Sequence, residues 1–433
     1  MPEPIAINTD FTVIGAGMAG LSAGLFARRR GLGTLVVGGP SELAYAAGPW
    51  DLLGVHPIEQ RYLVTDPWMG IEALVKDLPK HPYARIREGD LRAAFAVVLE
   101  AFREAGYPYL RLPDGNCEVI TSVGTRKRTY CLPHTMWNGV EAWRDRVPCL
   151  LVDFQGLKDF SAQQIVATLA ERWPDLHART VVFPDTEHLP EVSPEFLARC
   201  LDLPEVRAKL AKLLLPLVED HEAIGLPAIL GHHHSTEVVA DLEMRLGVPV
   251  FEVPSPPVSV PGLRIRLTFE KLLRQRGARL LLDDRVVRIG PHGDGFQLFL
   301  EKGDRAYVVN TRGVLLATGR FLGGGLSADR VRVRETLFDL PVSQPAHRSE
   351  WHRKELLDPR GHPINQAGLE VDAQFRPLDQ AGAVAFPTLF AAGSVLAHQD
   401  WMRMKCGAGL AITTSYAAVD AFVGLSRPAR GEA

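Results

Sequence analysis

One stretch near the start constrains what this chain can fold into more than any other. Residues 11–39 read Phe-Thr-Val-Ile-Gly-Ala-Gly-Met-Ala-Gly-Leu-Ser-Ala-Gly-Leu-Phe-Ala-Arg-Arg-Arg-Gly-Leu-Gly-Thr-Leu-Val-Val-Gly-Gly. An apolar run through Phe11, Val13 and Ile14 meets Gly15, Gly17 and Gly20, after which Met18, Leu21, Leu25 and Phe26 recur at helical spacing. Arg28, Arg29 and Arg30 crowd the last turn, where cations suit the negative end of the helix dipole, and Gly31 is placed to end the helix. A second apolar strand follows over 34–37. Strand, glycine turn, helix and strand form the context in which a Gly-x-Gly-x-x-Gly motif binds a dinucleotide.

Each glycine has a physical task. Gly15 permits the tight turn, Gly17 carries no side chain to block a pyrophosphate, and Gly20 lets the helix pack on the strand. The helix start then offers free amides and a positive dipole end to the phosphates, so Gly15, Ala16, Gly17, Met18, Ala19 and Gly20 are the first candidate cofactor contacts. One expected group is missing. An acid normally ends the second strand and binds the adenosine ribose. Here that strand ends at Val37, Gly38 and Gly39, and the first acid after it is Glu42. Either another group holds the ribose, or the bound cofactor has no adenosine half.

The chain of 433 residues can bury a large core and divide into two domains. A net charge of −3 gives no reason to expect nucleic acid as a partner. No apolar run approaches the roughly 20 residues that span a bilayer, and the N-terminus lacks a signal-peptide pattern. Membrane insertion is therefore not expected, and any association with a membrane would come through a partner. Cys117, Cys131, Cys149, Cys200 and Cys406 form no Cys-x-x-Cys pair, which argues against disulfides, a structural zinc and a self-contained iron–sulfur cluster. The expected location is the cytoplasm.

After the second strand, residues 41–57 are rich in small residues, and Ala47 and Gly48 would let such a loop run under a cofactor. A helix is expected over 90–106, further strands at 107–111, 119–123, 128–132, 180–183, 223–230 and 248–253, and a strand, a turn and the start of a helix over 148–160. The middle of the chain reads as an inserted α/β unit over roughly 60–265, a cap or substrate domain. Residues 1–60 and 265–433 are expected to form the discontinuous cofactor-binding part. His232, His233 and His234 are consecutive and cannot all face one ion, so a polar loop is expected there and no metal. Arg264 and Arg266 alternate with apolar residues, and either point together at an anionic substrate or sit on a solvated helix start.

Support for the opening motif lies downstream. A strand ends in Ala317-Thr318-Gly319, and another ends in Ala391-Ala392-Gly393-Ser394. A new helix then starts near Cys406-Gly407-Ala408-Gly409. Flavoproteins with two dinucleotide folds repeat this order. Thr318, Gly319, Gly393, Ser394, Gly407 and Ala408 are the matching candidate flavin contacts, and the last helix would direct its dipole, with Arg403 or Lys405 nearby, at the reduced flavin. The fold class expected is α/β, a Rossmann-like FAD/NAD(P)-binding domain carrying an inserted α/β domain.

The order and detail resemble one family: the B subunit of bacterial anaerobic glycerol-3-phosphate dehydrogenase, distantly like the fumarate reductase and succinate dehydrogenase flavoproteins. The matching stretches are Val13-Ile-Gly-Ala-Gly-Met-Ala-Gly-Leu, Gly48-Pro-Trp-Asp-Leu-Leu, His81-Pro-Tyr and Gly156-Leu-Lys-Asp-Phe. Leu226-Pro-Ala, Gly319-Arg-Phe-Leu-Gly-Gly-Gly-Leu and Leu389-Phe-Ala-Ala-Gly-Ser-Val-Leu continue the match nearly to the end. The resemblance implies a flavin-binding subunit, with FAD or FMN, alongside a catalytic A-type subunit and an iron–sulfur C-type subunit that docks at the inner membrane. Electrons from glycerol 3-phosphate would pass on to menaquinone. Ser394 stands where many FAD enzymes have Asp, and no residue matches a known catalytic acid or base. Two other readings share the same fold: a self-sufficient dehydrogenase of the fumarate reductase type, and a degenerate flavoprotein serving as a scaffold.

Overall fold

Strand β1 (Ile5–Ile14) carries the chain into the glycine turn, followed by helix α1 (Met18–Arg29) and strand β2 (Thr34–Gly38). The computed structural model describes residues 4–39, 42–113, 115–256, 258–302 and 305–426. Helix α1 gives way at Arg30, and Gly31 takes a left-handed φ of 80°, the conformation in which glycine ends a helix without a Cβ penalty. Residues 19–27 of α1 are all buried. Close packing requires small residues here. A Cβ on Gly24 would stand 3.0 Å from Val36 and 3.1 Å from Leu273.

Helix α2 (Glu88–Glu104) begins two residues before its expected start. Strands β3 (Cys149–Phe154), β4 (Leu176–Val181), β5 (Ala223–Pro227) and β6 (Val250–Val253) follow, then helix α3 (Val260–Gln275). The main sheet near the cleft and the last two helices are built by β7 (Arg279–Leu282), β8 (Arg285–His292), β9 (Gly295–Lys302), β10 (Arg305–Leu316), β11 (Leu389–Ala391), α4 (Trp401–Met404) and α5 (Gly407–Ser426). These elements form two compact units. The first is Met1–Glu42 with Asp51–Ala101 and Phe269–Ala433, and the second is Leu43–Trp50 with Phe102–Thr268. Residues 61–101, which the sequence placed in the insert, thus belong to the first unit. Trp50, at the second unit's short N-terminal piece, stacks on Tyr109 within that unit.

In the first unit one sheet runs in the order β7-β2-β1-β10-β9-β8, with β11 also paired to β10. Strands β7, β2, β1, β10 and β11 are parallel, while β8, β9 and β10 form an antiparallel meander. The register decides where a ligand can go. Ile14 faces Val37 and Leu316, Gly38 faces Leu282, and Leu316 faces Ala391, so five carboxyl ends meet at one edge. In open parallel sheets the crevice lies just beyond such ends, where neighbouring connections run in opposite directions.

Helix α5 closes the core behind this sheet. Phe422 packs on Phe11 at 4.7 Å between ring centroids, and Tyr416 meets Phe26 edge-on at 5.1 Å. The sequence showed no apolar run of membrane length, but Gly407–Leu425 passes that test by length and composition. Thr413, Thr414 and Ser415 interrupt the run, and all three are buried in the unit's core. Each bonds back to the helix, through Thr413 Oγ1 to Gly409, Thr414 Oγ1 to Leu410 and Ser415 Oγ to Ile412 carbonyls.

The second unit has its own four-stranded parallel sheet, ordered β6-β5-β3-β4. The Phe251 ring fills the space that Gly139 and Gly225 leave; a Cβ on either would come within 2.7 Å of it. Trp143 and Trp173 meet edge-on at 5.8 Å in the same core.

Candidate cofactor site

The carboxyl ends of β1, β2, β7 and β10 open onto a cleft of about 960 Å³. Its walls include Gly15, Ala16 and Gly17, then Gly38 and Gly39, Asp283 and Asp284, and Thr318 and Gly319. The turn after β1 is tied down by backbone bonds. Gly15 N donates to Val37 O at 2.7 Å, and Ala317 N donates to Ile14 O at 2.9 Å. Gly15 adopts φ 120°, and a Cβ there would stand 2.1 Å from the Ala317 carbonyl oxygen. No larger residue fits that place.

Gly17 differs. It is the N-cap of α1 at φ −80° and ψ −171°, and a Cβ would meet nothing within 4 Å among the described residues. Its missing side chain therefore leaves room in the cleft and relieves no clash within the protein. Among the described residues no side chain caps α1, and no acid stands in its first turn, so the amides there keep the donor capacity a phosphate uses. Gly20 serves packing alone, since its Cβ would collide with the Gly15 carbonyl oxygen at 1.8 Å. Met18 and Ala19 form the first turn above it.

Thr318 and Gly319 border the cleft from β10. Thr318 Oγ1 is buried with no hydrogen-bond partner among the described residues. The glycine-rich segment after Gly319 folds back over this pair, and a Cβ on Gly325 would press on Thr318 Oγ1 at 2.4 Å. Gly393 takes φ 77° and donates its amide to Thr414 Oγ1 at 2.9 Å. It lies against Ala19, and Ser394 Oγ approaches Gly319, so these parts of the predicted set come together.

Gly407 and Ala408 begin α5 away from the cleft walls. Gly407 makes space for the Trp401 ring, and the neighbouring Gly409 makes space for Leu52 and the Tyr83 hydroxyl, which donates to Leu52 O at 2.7 Å. Ala47 and Gly48 belong to the second unit. There Gly48, at φ 109°, accepts from the Tyr109 hydroxyl at 2.8 Å and packs on Met136 and Pro261.

Two expectations for the second unit resolve differently. Arg264 and Arg266 both lie on α3, where a two-residue step turns them about 200° apart. Arg264 is buried and gives both terminal nitrogens to Glu252 at 2.8 Å, so it is not held out toward an anionic substrate. Burial works to raise the Glu252 pKa, but the guanidinium, Thr135 and the Leu230 amide outweigh it and hold the carboxylate ionised. The amides of His232, His233 and His234 all donate to Asp202, at 3.0 to 3.3 Å. This is loop-capping by a carboxylate.

The sequence reading assigned none of three acids to the cleft. Asp283 and Asp284 follow β7, a strand it did not expect; the signal was the apolar run 280–282 ending in paired acids. Glu42 also lines the cleft near Gly319 and Gly323, and burial raises its pKa.

The model of the FAD-binding domain family matches residues 10–410. A Yersinia pestis protein, named as the B subunit of anaerobic glycerol-3-phosphate dehydrogenase, is 29% identical, covering 94% of this chain and 96% of its own. A Halobacterium salinarum protein, named as the probable B subunit of the same enzyme, is 31% identical over 96% of this chain and 97% of its own. Among solved structures, the open conformation of a flavocytochrome c3 fumarate reductase is 11% identical with a TM-score of 0.45, covering 98% of this chain and 79% of that one.

Proposed function

We propose a function on the premise that this chain belongs to the FAD-binding domain family and, within it, to the anaerobic glycerol-3-phosphate dehydrogenase B subunits. It is a flavin-dependent dehydrogenase subunit with FAD as cofactor, and its task is to carry electrons from glycerol 3-phosphate oxidation toward an iron–sulfur subunit and menaquinone. The observation that carries this reading is the end-to-end match to the B subunits, at 31% identity over 96% of the chain. An A-type subunit that oxidises glycerol 3-phosphate and a C-type iron–sulfur subunit are its partners. The assembly is cytoplasmic and sits at the inner membrane through the latter.

The cleft suits the cofactor on its own terms. The glycine turn offers backbone approach at Gly17 and uncapped amides at α1, and Thr318 offers a buried hydroxyl without a partner among the described residues. When bound, FAD supplies a centre that takes up two electrons and can release them one at a time. Gly15, Ala16, Gly17 and the first turn of α1 hold its pyrophosphate. Thr318, Gly319, Gly393 and Ser394 hold the adjoining chain. The protein's work is to place the flavin and exclude water around it.

Co-expression with the A- and C-type subunits tests this. Glycerol 3-phosphate should reduce a menaquinone analogue only when all three chains are present, and flavin-free Gly17→Val chain should abolish that transfer. Quinone reduction that proceeds at full rate without this chain would refute the reading.

A further inference from the structure

The missing ribose acid has a structural explanation and a replacement. A Cβ on Gly38, the residue at the end of β2, would stand 2.7 Å from Ala16 N and 3.1 Å from the Gly15 carbonyl carbon. An acidic side chain at that position would press into the glycine turn itself. Next to β2, however, runs β7, with Leu282 in register with Gly38. The two strand ends are stitched together where Asp283 N donates to Gly38 O at 2.7 Å. Asp283 then takes a left-handed φ of 70° and turns the chain, so that Asp284 follows against the cleft.

Asp283 is exposed, whereas Asp284 retains only 4% of its accessible surface. Its Oδ1 is buried with no hydrogen-bond partner among the described residues. A buried acceptor left without a donor is costly, so such atoms call for a ligand. We infer that Asp284 is the residue that accepts the adenosine ribose hydroxyls of FAD, in place of the acid that β2 cannot carry. The inference rests on the FAD-binding reading above.

Its position on the sheet supports the assignment. In the dinucleotide fold the ribose acid stands on the β2 side of the glycine turn. Asp284 is one strand further out on that same side, in the order β7-β2-β1-β10. Glu42, a half-buried acid of the cleft, sits beside Gly319 and Gly323, which follow β10. It therefore borders the opposite flank of the turn.

Flavin titration of the whole chain, stripped of cofactor, tests the assignment by fluorescence quenching with FAD and FMN. FMN lacks the adenosine half and serves as the internal control. Asp284→Asn should weaken FAD about tenfold or more, the loss expected for hydrogen bonds to a charged group, and leave FMN within about twofold. Asp283→Asn and Glu42→Gln should leave the FAD-to-FMN ratio unchanged. Equal weakening of both flavins, no weakening, or a ratio shift carried by Glu42→Gln would overturn the assignment. Competition against FAD on the unsubstituted protein needs no variant. ADP should compete about tenfold better than 2′,3′-dideoxy-ADP, and equal competition would also overturn it. Unsubstituted protein that takes up neither flavin would instead overturn the cofactor reading, and this inference with it.

Discussion

Gly17 allows the cofactor to be removed while the fold is kept. Valine at this position would adopt φ −80° and ψ −171°, an extended conformation that β-branched residues favour, and its Cβ would meet nothing within 4 Å among the described residues. The cost to the fold is that of a poor N-cap, about 0.5–1 kcal/mol, which shifts Tm by no more than about 4 °C. The valine methyl groups would enter the cleft where α1 presents its amides. Losing that approach should weaken FAD at least about 100-fold, or about 2.8 kcal/mol. Gly15→Ala makes the contrast. At φ 120°, with a Cβ 2.1 Å from the Ala317 carbonyl, it must push apart the paired ends of β1 and β10 and should cost about 3 kcal/mol or more. The assay is paired: flavin absorbance after saturation with FAD, and the Tm of each protein with and without it. FAD at 100 times its Kd should stabilise the unsubstituted protein by about 2.7 kcal/mol and Gly17→Val by no more than about 0.4 kcal/mol. A folded Gly17→Val protein with full flavin content would refute the placement of the phosphates.

Three further outcomes follow from other parts of the molecule. Arg264→Met strands the buried Glu252 carboxylate and should cost about 3–5 kcal/mol in urea unfolding; a loss below about 1 kcal/mol would mean that water or a neighbour takes over the pair. Burial holds His81 down to about 3 and His134 down to about 4, so an unfolded chain, with histidines near 6.5, binds more protons between those values. Stability should therefore fall as pH drops below about 6.5, by up to about 1.4 kcal/mol per pH unit for each histidine, and the loss should be complete once pH passes the folded values. His81→Asn keeps an acceptor for Tyr83 N and should flatten this slope; an unchanged slope would exclude His81 as a source. Gly38→Glu, which restores the usual acid, should cost about 1–3 kcal/mol through its clash with Ala16 N and should not tighten FAD, as apo Tm and flavin titration would show.

What the sequence revealed was local. The turn from Ile14 to Gly20 carried its own evidence, because strand, glycines and helix are contiguous and each glycine answers a constraint of the turn. Thr318 and Gly319 were legible for a related reason: an apolar strand ending in small residues reads the same wherever it lies in the chain. Arg264 was not. Its spacing from Arg266 fits strand and helix alike at a boundary, and only the helix, with Glu252 brought in from β6, shows that its charge is already satisfied. Gly407 and Gly48 were read as clearance for a cofactor, but their missing side chains make room for Trp401 and for Met136 and Pro261. A glycine in sequence signals close approach without saying what approaches.

The acids of the cleft show where sequence reasoning stops and strand pairing takes over. A motif search along β2 looks for the ribose acid on the same strand, yet what a ribose meets is a position at the sheet's edge. Adjacent strands lie about 4.8 Å apart, so a carboxylate moved from β2 to β7 is displaced by one strand width. The left-handed turn at Asp283 bends the chain at that point, and Asp284 meets the cleft with its acceptor buried and unused. Gly38 and Leu282 are far apart in sequence, and only their pairing makes them equivalent addresses for one function. On this view the glycine at the end of β2 does not mark a degenerate site. It frees the turn for close packing on Ala16, and the neighbouring strand carries the charge.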